Sequence, residues 1–247
     1  MNAILRSFIV VIVFVCAPAL AAAEDFTNGE SLGRWITYYY LKPEPHRVAD
    51  AIHAASSQGF MKGGKKAPLF IGFLAGVMSK NPSLVQTLSK QLTSLPEVDQ
   101  PTLILSVWYS SHPEAKQLLL QLVKAMPKHK EMIDYLVSND RPGLLDLPLE
   151  QGAWVLDTHW GYFMATGDDA PIIRIISALP WVNIRGDTSR LLVGGSARWS
   201  LISNAIQHKP VMAICRRELE SPKNQATEVL RAVIEEAEKD MKAGKTG

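Results

Sequence analysis

Apolar residues along this chain recur at steps of three and four, with polar residues falling between them on the other side of a helical wheel. After Pro45 the stripe is Val48, Ile52 and Ala55; after Pro82 it is Leu84, Leu88 and Leu92; after Pro113 it is Ala115, Leu119, Leu122 and Met126. This is the period of amphipathic helices. The same step returns in Val211, Cys215 and Leu219, and again in Val229, Val233 and Ala237, where Glu235, Glu236, Glu238 and Lys239 take the other faces. Alternation with a period of two is scarce, and the best strand candidates, residues 181–185 and 190–193, are both short. The pattern predicts an all-α chain.

Proline supplies the punctuation. Pro45, Pro82, Pro101, Pro113, Pro127, Pro148, Pro171, Pro210 and Pro222 each precede an amphipathic run, the placement expected of a residue whose missing N–H costs nothing in the first helical turn. The runs also pair. Residues 70–79 and 84–95 read as helix, tight turn, helix, and so do 103–111 with 115–126, 154–166 with 170–179, and 199–207 with 211–219. Pro45, Pro82 and Pro113 are 37 and 31 residues apart, a period typical of stacked helical hairpins. One hairpin cannot cover its own apolar face, so neighbours stack and leave an extended groove. Residues 139–147 and 179–189 interrupt the period, and a compact helical bundle accounts for the pattern as well as an α-solenoid of tetratricopeptide-like form.

The first residues are of another kind. A single Arg6 is followed by an apolar run from Phe8 to Val15, then Pro18, then Ala19, Leu20, Ala21, Ala22 and Ala23 before the acids Glu24 and Asp25. That order is a secretory signal peptide over residues 1–23 with cleavage near Ala23, which predicts a periplasmic or secreted protein whose residues 24–247 form a single helical domain. The run is shorter than the roughly 20 apolar residues that cross a bilayer, so no membrane span is expected after cleavage. The bulky Phe14 and Val15 before Cys16 argue against lipidation there. Cleavage removes Arg6 and no acid from a chain with 26 Lys plus Arg and 24 Asp plus Glu. The near-neutral remainder gives no reason to expect nucleic acid as a partner. It keeps Cys215 alone, so no internal disulfide is possible and stability must come from packing.

The run His159-Trp160-Gly161-Tyr162-Phe163-Met164-Ala165-Thr166-Gly167-Asp168, with Arg198-Trp199-Ser200 and Asn204 downstream, resembles a segment of uncharacterised exported helical proteins of Gram-negative bacteria, which look like distant relatives of tetratricopeptide or Sel1-type repeats. The resemblance covers a small part of the chain, and the glycine-rich Sel1 turns are missing. It implies binding and not catalysis, and it carries over no catalytic residue.

Candidate chemistry is sparse. Asp157, His159, Asp168 and Asp169 are the closest group of capable side chains, but Asp157 and His159 lie about 200° apart on a helix and cannot act together. Asp168 and Asp169 are placed to cap the helix that begins near Pro171. No His or acidic pair recurs at zinc-helix spacing, so neither metal nor cofactor is expected. Gly194-Gly195-Ser196 lacks the frame of a nucleophile elbow and reads as a flexible link. Cys215 belongs to an apolar stripe and reads as a buried small hydrophobe. Gly63-Gly64-Lys65-Lys66 reads as a basic loop and Gly244-Lys245-Thr246-Gly247 as a frayed tail, neither having P-loop spacing.

Aromatic residues are the more useful clue. Trp35, Tyr38, Tyr39 and Tyr40 cluster near the mature start, and Trp108, Tyr109, Trp154, Trp160, Tyr162 and Phe163 fall on the first helices of later pairs. Three consecutive tyrosines cannot all face inward on one helix, so some of them should line a surface. The expectation is a non-catalytic module that binds a protein or peptide through a groove, with Trp35, Tyr38, Tyr39, Tyr40, Trp108, Tyr109, His159, Trp160 and Tyr162 as candidate binding residues. The alternatives are an immunity protein against a periplasm-acting toxin, or an envelope hydrolase acting on peptidoglycan or lipid through Asp157, His159 or Asp168.

Overall fold

The structure, a computed structural model, describes residues 26–138, 142–221 and 226–245. The leader with Cys16, and Pro222, lie outside the described residues. Among the described residues the fold is all-α, with twelve α-helices joined by short 3-10 turns and no strand. In chain order the helices are α1 (Gly29–Tyr38), α2 (Val48–Ser57), α3 (Ala67–Lys80), α4 (Ser83–Gln91), α5 (Gln100–Tyr109), α6 (Ala115–Leu122), α7 (Lys130–Ser138), α8 (Ala153–Thr166), α9 (Asp169–Ile176), α10 (Thr188–Gln207), α11 (Lys209–Leu219) and α12 (Thr227–Lys242). Pro101 and Pro210 stand in the first turns of α5 and α11. Pro45 and Pro127 open 3-10 turns instead, Pro45–Arg47 and Pro127–His129, which lead into α2 and α7.

Two expectations are corrected. The strand candidates at 181–185 and 190–193 are not strands: residues 181–183 end the 3-10 turn Leu179–Asn183 and residues 184–185 are irregular, while residues 190–193 belong to the first turns of α10, whose start the Asp187 carboxylate caps by accepting the Arg190 N–H at 2.9 Å. Nor is Gly194-Gly195-Ser196 a link, since it lies inside the 20-residue α10. The reason is packing. A Cβ on Gly194 would stand 2.6 Å from the Val182 backbone nitrogen, so the missing side chain lets α10 lie directly on the Leu179–Asn183 turn.

The centre of the molecule is the pair α3 and α8, the most extensive helix–helix contact in the fold. Phe70 to Met78 on α3 are buried without interruption, as expected of a helix that is apolar all round. Close approach is possible because small residues face each other. A Cβ on Gly72 would fall 1.8 Å from the Thr158 carbonyl oxygen, one on Gly161 would fall 1.9 Å from the Leu69 carbonyl oxygen, and one on Gly76 would meet Ala165 at 2.7 Å. Contacts advance together along both helices, from Gly72 against Thr158 to the ion pair of Lys80 with Asp168 at 3.0 Å, so α3 and α8 run parallel. Around this pair pack α1, α5, α9 and α10, and α10 in turn carries α11 and α12. A buried apolar cluster runs through the whole arrangement, from Leu32 on α1 to Ala237 on α12.

Candidate functional site

Beside the N-terminal half of α8 the packing opens into a cleft with two lobes. The larger, about 660 Å³, lies between α8 and α10 and is walled by Leu156, Leu191, Leu192 and Trp199, with Gly195 and Ser196 on the α10 side. The smaller, about 240 Å³, lies between α1 and α3 and is walled by Ile36, Phe60 and Leu69. Asp157 and Lys65 border both lobes. The volume of the larger lobe is within the range of sites that hold a ligand or an anchoring side chain.

The helix geometry explains which residues arrive there. On α10, Val193, Ala197 and Leu201 are buried in the core, while Leu192, Ser196 and Trp199 follow the i, i+4, i+7 row of another face. Leu192 and Trp199 are 65% and 72% exposed, and Leu191 is exposed as well. On α8, Val155 and His159 point into the core, and Asp157 takes the opposite side, as their angular separation predicts. The Asp157 carboxylate has no hydrogen-bond or ion-pair partner among the described residues, and burial pushes its pKa up from 3.8 to about 6.

His159 is fully buried. Its Nδ1–H donates to the Val155 carbonyl at 2.8 Å, and burial, aided by the charge of Arg174, outweighs that bond and pulls the imidazole down to about 4. It is therefore neutral at physiological pH. Asp168 and Asp169 do not converge with either residue: Asp168 pairs with Lys80, and Asp169 with Arg217 at 2.6 Å. The expected cap also differs, since Asp168 holds the N-cap position of α9 without a side-chain bond to the helix. Its carboxylate turns to Lys80 instead. Cys215 is buried, with its thiol pushed up to about 12 by burial, as a core position requires.

The aromatic residues singled out in the sequence separate into different places. Tyr39, His159 and Trp160 are core residues and offer no surface, a correction to their reading as groove residues. The tyrosine run divides because α1 ends at Tyr38 and a 3-10 turn follows. Tyr38 is exposed, Tyr39 is buried, and the Tyr40 hydroxyl lies 3.1 Å from Nδ1 of the buried His208. Trp35 donates its indole N–H to Glu44 at 2.9 Å, and the Tyr162 hydroxyl lies 3.1 Å from the Ser79 hydroxyl. Trp108 and Tyr109 sit half-buried at the end of α5. None of the nine lines the cleft. Leu191, Leu192 and Trp199 do, and the signal for them was their common face on α10, visible only when residues 188–207 are read as one helix.

No protein-family model matches the chain, and neither a curated protein nor a solved structure is similar to it.

Proposed function

We propose that the protein is an exported, non-catalytic binding module that docks a segment of another protein in the cleft between α8 and α10. The observation that carries this reading is the wall formed by Leu191, Leu192 and Trp199, three exposed large apolar side chains gathered on one ligand-sized cleft. Single exposed apolar residues are ordinary, whereas a contiguous group beside a cavity marks an interaction site. The leader-like pattern of residues 1–23 supports an encounter in the periplasm or outside the cell. Envelope assembly, secretion, or neutralisation of a periplasm-acting toxin are the roles such a module serves. The competing reading, an envelope hydrolase, draws on the raised pKa of Asp157. A two-carboxylate hydrolase needs a second acid facing the first, and Asp157 is the sole carboxylate among the described residues lining the two lobes.

The test is affinity capture from the native envelope with wild-type protein and with a Leu192→Ala/Trp199→Ala variant. Both side chains are solvent-exposed, so the variant is expected to fold normally. A partner held by the wild type and lost by the variant supports the docking cleft. A partner held equally by both removes the cleft from the account, and turnover of an envelope substrate that depends on Asp157 replaces the reading with the hydrolase.

A further inference from the structure

We propose that the polypeptide segment docking in the cleft carries an acidic side chain, aspartate or glutamate, between apolar neighbours: the acid meets Lys65 and Lys66, and the neighbours fill the two lobes. This rests on the reading of the cleft as a protein-docking site and adds the chemistry of its guest.

The balance of charge around the lobes carries the argument. Lys65 borders both lobes and Lys66 borders the smaller one, against the single carboxylate of Asp157. The run Gly63-Gly64-Lys65-Lys66, a basic loop by sequence, turns through positive φ at both glycines and delivers the two lysines to the rim of the cleft. Both are exposed, and among the described residues neither is joined to an acid. The acids that begin or precede the flanking helices are taken by other cations. Glu30 on α1 pairs with Arg34 at 3.2 Å, and Glu150 and Asp187, before α8 and α10, both face Arg190, at 3.0 and 3.7 Å. The first turn of α3, directly after the lysines, contains no acid either. Lys66 is held in place: its ammonium lies 4.0 Å from the centroid of the Phe60 ring, which walls the smaller lobe. An aromatic face positions an ammonium without neutralising its charge. The rim therefore offers uncompensated positive charge to whatever enters.

The order of polar and apolar walls defines the shape of the guest. Lys65 and Asp157 are common to the two lobes, and the apolar walls lie to either side of them, Ile36, Phe60 and Leu69 in one lobe and Leu156, Leu192 and Trp199 in the other. A complementary guest carries its charge in the middle and apolar groups on both sides. A peptide meets that requirement, whereas an acyl amphiphile carries its charge at one end. Asp157 repels a second acid, so the site suits one carboxylate between apolar residues and disfavours a polyanion.

The test titrates purified protein into labelled acetyl-Leu-Leu-Glu-Leu-Leu-amide and into the same peptide with glutamine or lysine at its centre, followed by fluorescence anisotropy. Ion pairs at an exposed rim are individually weak, so at about pH 7.5 and low salt the glutamate peptide should bind about fivefold more tightly than the glutamine peptide, with the lysine peptide weakest. The preference should vanish in Lys65→Gln/Lys66→Gln, two changes at exposed positions that leave the circular dichroism unaltered, and in about 0.5 M sodium chloride. Asp157→Asn should keep the preference and strengthen the glutamate peptide. Leu192→Ala/Trp199→Ala should weaken all three peptides together, which reports on the docking cleft itself. Equal binding of the three peptides, tighter binding of the lysine peptide, or a preference that survives in the double lysine variant overturns the inference and leaves the docking cleft standing. Binding of sodium dodecanoate with none of the peptides assigns the cleft to an amphiphile, and that result, like the failure of all four probes to bind, overturns both.

Discussion

Asp157 illustrates how a residue can cost a fold stability and still be kept. Its folded-state pKa, about 6, lies above the ordinary 3.8, so the folded protein holds this proton more tightly than the unfolded chain does. The sign follows: any stability tied to the protonated form is present below about pH 4 and is lost as pH rises through 6, after which a constant penalty remains. Asp157→Asn removes that penalty. It should stabilise the protein by about 1 to 2 kcal/mol above pH 7, a figure reduced from the full shift because the carboxylate is partly open to solvent. At about pH 4 the two proteins should unfold at nearly the same urea concentration. His159 acts in the opposite sense, since its pKa of about 4 lies below the ordinary 6.5 and acid favours the unfolded chain. It is present in both proteins, so it cancels from their difference at each pH. A destabilised Asp157→Asn at neutral pH would show that the carboxylate has a structural partner. The chain itself revealed Asp157 as a titratable residue on the face away from His159. Its setting was hidden, because the walls around it come from α1, the loop before α3 and α10, none of which is near it in sequence.

Helix α10 shows why one element was misread and what its glycines do. After Arg190, the residues Leu191, Leu192 and Val193 form a short apolar run that looks like a strand when two glycines follow. In the folded chain the run divides between two environments, Val193 entering the core and Leu191 with Leu192 facing the cleft. The glycines that suggested a link are instead placed by their neighbours. Gly194→Ala would drive a Cβ to within 2.6 Å of the Val182 backbone nitrogen and 2.7 Å of the Trp181 carbonyl carbon, atoms that no rotamer change can move aside. This substitution should cost about 3 kcal/mol or more, at the upper end for overpacking. At Gly195 nothing lies within 4 Å of the added carbon, so Gly195→Ala should stabilise the helix by about 0.5 to 1 kcal/mol through propensity alone. Thermal unfolding of the two variants measures both, and shifts of the same sign would show that α10 does not pack on the Leu179–Asn183 turn as described.

Proline spacing and apolar stripes made the all-helical character and four pairings of neighbouring helices readable. The contact at the centre of the molecule was not readable. α3 and α8 are separated by four helices in the chain and meet through Gly72, Gly76, Gly161 and Ala165, small residues whose helical spacing is visible but whose partner is not. This contact has a consequence for cooperativity. In a stack where each unit touches only its neighbours, terminal units can unfold by themselves. Here α3 and α8 join the two halves of the chain, and the buried cluster from Leu32 to Ala237 is continuous. Denaturant unfolding should therefore be a single transition, with tryptophan emission and far-ultraviolet circular dichroism superimposed. Gly72→Ala, whose Cβ would lie 1.8 Å from the Thr158 carbonyl oxygen, should move both curves to lower denaturant together, by about 3 kcal/mol or more. Tryptophans report from both halves and from the junction, Trp35 on α1 before it, Trp108 on α5 between its two helices, Trp160 on α8 itself, and Trp181 and Trp199 after it. If the glycine variant separates the two curves, the halves are stable on their own and α3–α8 is only where they touch; if the curves stay superimposed, the cleft between α8 and α10 is built on an element that the whole fold holds rigid.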